Sequence, residues 1–62
     1  MLKYVTDANT KKKVAINGEH VVAVFEIPDG EQAGRTGINL VNGSIVVEET
    51  DYEVVAMFNE VN

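Results

Sequence analysis

Few residues of this chain are of the types that carry catalytic chemistry. The only serine, Ser44, follows Asn42-Gly43 and is expected to be a turn residue, because no base is placed to activate it as a nucleophile. The only histidine, His20, is expected on the surface or at a strand edge, although Glu19 beside it could support a role as a general base. The absence of cysteine excludes disulfides and thiolate metal sites. We therefore predict a protein that is not an enzyme and holds no metal or cofactor.

A group of basic side chains forms the candidate ligand site. Three consecutive lysines precede an apolar segment, and the single arginine lies in the second half of the chain. Together they could bind a small anionic ligand, or they could form a solvated turn whose charges discourage aggregation at a strand edge. The candidate ligand-binding residues are Lys11, Lys12, Lys13, His20 and Arg35.

Acidic residues outnumber basic ones by ten to five, which gives a formal net charge of −5. This charge repels phosphate backbones and argues against nucleic-acid binding, whereas it is compatible with a basic protein partner or with solubility alone. The densest acidic cluster could hold a divalent cation or dock a basic partner, but negative charge is also favoured at the start of a helix, which is the interpretation we prefer. Its members are Glu48, Glu49, Asp51 and Glu53.

The second half of the chain predicts a β-hairpin. Asn42-Gly43 is the dipeptide typical of a two-residue type I′ turn, in which both central residues need positive φ. Such a turn places Leu40 opposite Ile45 and Ile38 opposite Val47, with all four side chains on one face of the sheet. Flanking strands are expected over residues 35–40 and 44–48.

A helix is predicted directly after the hairpin. Thr50 and Glu53 have the spacing of a capping box, in which each side chain binds a backbone N–H at the other residue. The helix is expected from Asp51 to about Val61. Its apolar stripe would contain Val54, Val55, Phe58 and Val61, and this stripe would lie on the sheet.

The first half predicts short strands separated by turns. Strands are expected over residues 3–6, 14–16 and 21–27, with Asp and Asn chemistry favouring a turn over residues 7–10. Asn17-Gly18 suits either a tight turn or a single helical turn, and residues 28–34 form a polar loop. We therefore predict one domain, residues 1–62, of the α+β class: a small antiparallel sheet of about five strands, which could close partly into a barrel, with a C-terminal helix.

The most apolar segment, residues 21–27, predicts self-association. Both of its faces are apolar, which is typical of a strand buried on both sides. A chain of 62 residues has few layers to cover two faces and is marginally stable alone, so the second face needs barrel closure or another copy. The expected interface residues of a homo-oligomer are Val22, Val24 and Asn39, and Asn39 could equally be a plain exposed residue.

About two thirds of the chain resembles the small flagellar and swarming-motility proteins of the FlbD-like family. The matching segments are Val14–Asn17, Thr36–Gly43, Ile45–Glu49 and Glu53-Val54. The resemblance implies a small, non-catalytic cytoplasmic protein that acts through contacts with other proteins. Similar small proteins are also typical of phage genomes, where the expected role would be an inhibitor or a sponge that sequesters a host protein or a nucleotide signal.

The expected location is the cytoplasm. No apolar run is long enough to span a membrane, and Met1-Leu2-Lys3-Tyr4 lacks the apolar region of a signal peptide. The leading hypothesis is a non-enzymatic binding or adaptor protein that works as a homo-oligomer, with the phage inhibitor or sponge as the alternative.

Overall fold

The structure, a computed structural model, describes residues 2–59. Within this range the fold is α+β, as predicted, with antiparallel strands followed by a C-terminal helix. A single turn of 3₁₀ helix, Gly18–His20, separates the second and third strands. The strands and the helix are β1 (Leu2–Thr6), β2 (Lys13–Asn17), β3 (Val21–Glu26), β4 (Thr36–Leu40), β5 (Gly43–Val47) and α1 (Asp51–Phe58).

The strands form two sheets that meet at one point. β1 pairs with β2, and the other sheet has the order β3-β4-β5. An isolated bridge between Asp7 and Val47 joins them, and the Glu48 N–H donates a hydrogen bond of 2.9 Å to the carbonyl of Thr6. The predicted barrel is not closed, because β2 and β3 lie at the outer ends and do not pair. Instead, α1 packs against β3 and β1 and covers the core between them.

The β4–β5 hairpin forms with a different register from the predicted one. Ile38 lies opposite Ile45, and Leu40 lies opposite Gly43, so the turn falls on Val41-Asn42 instead of Asn42-Gly43. The predicted type I′ turn is therefore wrong, and neither Val41 nor Asn42 has positive φ. A shift of two residues leaves every side chain on its original face, so the apolar pattern cannot distinguish the two registers.

The core is small and lies between the sheets and the helix. Ile38 and Val47 face it from the hairpin, as predicted, and the most buried side chains around it are Val5, Ile16, Ile38, Val47 and Val54. Its helical contribution differs in part from the predicted stripe. Met57 and Phe58 pack beside Val54, whereas Val55 is 44% exposed. Val61 lies outside the described residues.

β3 does not have two buried faces, which corrects the prediction for this strand. A bulge lies between Val21 and Ala23, where the register against β4 shifts and Val22 has no partner. Because the bulge changes the alternation of side chains, Val21 and Val24 both pack against the core. The strand contains five apolar residues among six, yet none of the six is buried.

The loop over residues 28–34 is held by its own hydrogen bonds. The Gly34 N–H donates to the Ile27 carbonyl at 2.9 Å, and Gly30 and Gly34 have φ of +91° and +87°, conformations that favour glycine. Gln32 reaches the preceding turn, where its amide donates to the Asn9 side chain at 3.0 Å. The loop is thus anchored to the β1–β2 turn.

Candidate functional site

The β1–β2 turn places the first of the predicted basic residues. The Asp7 carboxylate accepts the N–H groups of Asn9 and Thr10 at 2.7 and 3.0 Å, which is the local hydrogen bonding expected of aspartate in a turn. Lys11 then adopts a left-handed conformation with φ of +64°, which costs about 1–2 kcal/mol for a residue with a Cβ. Its N–H donates to the Asp7 carbonyl at 2.8 Å. From this position its ammonium hydrogen-bonds to Glu48.

Glu48 gathers two of the predicted ligand-binding residues. Its Oε2 accepts the Lys11 ammonium and lies 3.4 Å from Nη1 of Arg35. The hydrogen bond from Lys11 is the largest cause that lowers the pKa of Glu48. Desolvation opposes it, but the positive charges of Lys11 and Arg35 add to the hydrogen bond and the net effect is a lowered pKa. The Glu48 carboxylate therefore neutralises part of the positive charge that we predicted would bind an anionic ligand.

The other three predicted ligand residues do not join this group. Lys12 and Lys13 are exposed, and Lys13 lies opposite Thr6 in the β1–β2 ladder. His20 lies near the β4–β5 turn, where its carbonyl accepts the Val41 N–H at 3.0 Å. Arg35 precedes β4 at the opposite end, so the length of that strand, about 17 Å for five residues, separates the histidine from the arginine. The predicted five-residue ligand site is therefore split.

Glu49 forms a latch between the β5–α1 connection and β1. Its two carboxylate oxygens lie 2.9 and 3.0 Å from the Thr6 N–H, and one of them accepts the Thr6 hydroxyl at 3.0 Å. Partial burial acts to raise the pKa of Glu49, but hydrogen bonds from Thr6 and from its own backbone, with the charge of Lys13, outweigh it and hold the pKa below its ordinary value. Composition and spacing carried no signal for this contact, because the two residues lie 43 positions apart.

The acidic cluster divides among separate structural roles. Thr50 and Glu53 form the predicted capping box: the Glu53 N–H donates to the Thr50 hydroxyl at 3.1 Å, and the Thr50 N–H donates to the Glu53 carboxylate at 2.8 Å. Asp51 begins the helix, where negative charge is favoured. Between residues 2 and 59, no three acidic or histidine side chains gather in a way that could hold a metal ion.

The predicted interface residues do not share one face. Val24 packs against the core, and Asn39 lies on the opposite face of the sheet, opposite Ala23 and Ser44 in the two ladders. Val22 is the member that is open to solvent, with 66% of its surface exposed. The bulge separates Val22 from Val24, because it interrupts the two-residue alternation on which the prediction relied.

Several apolar side chains remain on the surface. Phe25 lies across Gly37, where a Cβ would approach the ring to 2.5 Å, and the ring is 41% exposed. Tyr4 and Tyr52 are 67% and 85% exposed. The exposure of Tyr52 follows from helical geometry. Tyr52 is two residues before the buried Val54, which places it about 200° around the helix from that side chain.

The chain has no detected relative. Comparisons with known protein families, with curated proteins and with solved structures found no match. Within residues 2–59, no helix is long and apolar enough to cross a membrane.

Proposed function

We propose that this protein is a small non-catalytic binding or adaptor protein of the cytoplasm that acts through protein contacts as a homo-oligomer. The observation that carries the proposal is the exposure of apolar residues on β3. This strand lies at the end of its sheet and is the most apolar segment of the chain, yet none of its residues is buried. Val21 and Val24 pack against the core, but Val22 and Phe25 are 66% and 41% exposed, and exposed apolar side chains on an end strand favour association.

The size of the core supports the same proposal. A chain of 62 residues buries only about 60% of the surface that its unfolded form exposes, and such domains commonly gain stability by association. The resemblance to the FlbD-like proteins implies the same kind of role and remains a prediction. Its consequence for this chain is a function exerted by contacts and not by chemistry at a catalytic site.

Sequestration of an anionic ligand is the second candidate. Lys12 and Lys13 follow Lys11 in the chain and are exposed. With Lys11 and Arg35 they bring four positive charges to this end of the fold, against the three carboxylates of Asp7, Glu48 and Glu49. The excess of positive charge at this end favours an anion over a cation there. A phage-type inhibitor or nucleotide sponge would use this surface.

Native mass spectrometry over a dilution series tests both candidates. An assembly of two or more bare chains supports the proposed binding protein, and a monomer at every concentration refutes the homo-oligomer. An assembly that carries a bound small molecule of constant mass supports the sponge instead. A thermal-shift screen against cyclic and ADP-ribose-type nucleotides then identifies the ligand class, and no stabilisation by any of them refutes the nucleotide sponge.

A further inference from the structure

We propose that Lys11 and Arg35 form a binding site for a phosphate group, and that Glu48 occupies this site in the free protein as an internal competitor. This inference rests on the second candidate function, sequestration of an anionic ligand, and names the residues and the regulation of that site. Ammonium and guanidinium groups are the donors that commonly bind phosphate and carboxylate in proteins. The Glu48 carboxylate and a phosphate group therefore compete for the same two cations.

Two cations from distant parts of the chain converge on one oxygen atom. Oε2 of Glu48 accepts a hydrogen bond from the Lys11 ammonium and lies 3.4 Å from Nη1 of Arg35. The side chains of Lys11, Arg35 and Glu48 are 59%, 38% and 34% exposed, so a dissolved anion can reach the same donors. Lys13 differs from Lys11, because it lies on β2 and its charge helps to lower the pKa of Glu49. Lys11 and Arg35 are therefore the pair that a single anion can bridge.

Hydrogen bonds hold together the two segments that carry these cations. The side-chain amide of Gln32 donates to the Asn9 side chain at 3.0 Å, which ties the loop that precedes Arg35 to the turn that carries Lys11. The carbonyl of Gln32 also accepts the Arg35 N–H at 3.0 Å. The backbones that carry both cations are thus positioned before a ligand arrives, which reduces the entropy that binding costs.

The backbone at Lys11 is strained, and its ion pair with Glu48 does not offset the strain. The left-handed conformation, with φ of +64°, costs a lysine more than an exposed ion pair commonly contributes to stability. Stability alone would favour glycine at this position, because glycine adopts positive φ freely. Strained residues cluster at binding sites, where function retains them. A lysine held in this conformation therefore points to a ligand for its ammonium group.

Titration with inorganic phosphate at constant ionic strength, followed by NMR chemical shifts, tests the internal competitor. Glu48→Gln removes the competing charge and should lower the dissociation constant for phosphate by about fivefold, the factor that corresponds to an exposed ion pair. Glu31→Gln removes the same charge from the exposed loop over residues 28–34 and should leave the constant nearly unchanged. Equal effects of the two substitutions would show that net charge alone governs binding and would overturn the proposed competitor.

Two lysine substitutions in the Glu48→Gln background test the site itself. Lys11→Gly should abolish phosphate binding without lowering Tm, because glycine relieves the strained backbone. Lys12→Ala removes the same charge from the next residue, which is also exposed, and should preserve most of the binding. Equal losses at the two lysines would overturn the site in favour of a diffuse basic surface. A lower Tm in Lys11→Gly would show that Lys11 serves stability and would also count against the site.

The ligands used in the titration distinguish the sources of the phosphate group. Tighter binding of a nucleoside monophosphate than of inorganic phosphate supports the site with a nucleotide as ligand, and equal binding supports it with phosphate alone. Binding of neither ligand by Glu48→Gln overturns this inference. Nucleotide binding by the wild type that neither Glu48→Gln nor Lys11→Gly changes preserves the second candidate function and overturns this site. The homo-oligomer is measured separately, by native mass spectrometry of the wild type.

Discussion

Replacing Glu49 with alanine will destabilise the fold by about 2 kcal/mol. The carboxylate accepts the Thr6 N–H and the Thr6 hydroxyl, and hydrogen bonds to a charged group each contribute about 1.5–3 kcal/mol. The two oxygens share one N–H, and both residues are only half-buried, so water can partly replace the lost acceptor. Because of these two features, the expected loss is smaller than the sum for two bonds and lies near the value for a single one.

The loss is large for so small a chain. At about 0.05–0.15 kcal/mol per residue, 62 residues have a total stability of about 3–9 kcal/mol. A loss of 2 kcal/mol should lower Tm by about 8–16 °C, which circular dichroism measures directly. Glu31→Ala is the matched control, since it removes the same charge from an exposed loop residue and should change stability by less than about 0.5 kcal/mol. Equal effects of the two substitutions would refute the latch.

The same latch predicts how stability depends on pH. The pKa of Glu49 is lowered in the folded protein, so the unfolded chain binds a proton more readily and stability rises with pH through this region. The contribution is fully present above the ordinary value of 4.5 and is lost as pH falls through the lower folded value. Urea unfolding at a series of pH values should therefore show a larger acid loss in the wild type than in Glu49→Gln. Parallel pH profiles would contradict the assignment.

Three further changes test other elements of the fold. Thr50→Ala removes the helix cap and should cost about 1 kcal/mol in urea unfolding, and no loss would show that the capping box is not stabilising. Gly37→Ala forces the Phe25 ring aside and should cost about 1–3 kcal/mol in urea unfolding. The cost should disappear in a Phe25→Ala background, and a cost that persists there would contradict the ring contact. Asn42 should deamidate faster than Asn17 at mildly alkaline pH, as followed by peptide mass spectrometry, because its side chain is exposed while that of Asn17 accepts a backbone N–H; equal rates would contradict this protection.

Local chemistry made several parts of the structure predictable. The Thr50 and Glu53 pair depends on a spacing of three residues, so its geometry follows from the chain itself. The turn after β1 follows in the same way from the short reach of the Asp7 side chain to the next backbone N–H groups. The apolar alternation of the hairpin also predicted correctly which side chains of β4 and β5 face the core.

The candidate site was less predictable, because its contacts join distant parts of the chain. Lys11 and Glu48 lie 37 residues apart, and their contact depends on how the β1–β2 turn meets the end of β5. The run of lysines indicated a basic surface, but the sequence had no signal that a carboxylate would neutralise part of it. His20 could be grouped with these lysines by charge alone, whereas the strand order places it at the other end of β4.

The sequence by itself determined the fold class, the helix cap, the β1–β2 turn and the inward faces of the hairpin, since each depends on side-chain periodicity or on bonds across a few residues. Only the tertiary structure decided the hairpin register, the bulge at Val22 and the open ends of the sheet. Two hairpin registers that differ by two residues bury the same side chains, so the apolar pattern of the sequence cannot choose between them. Because the pairing of the strands leaves β3 at the end of the sheet, the apolar strand that composition suggested as a core element becomes an end strand with exposed apolar residues.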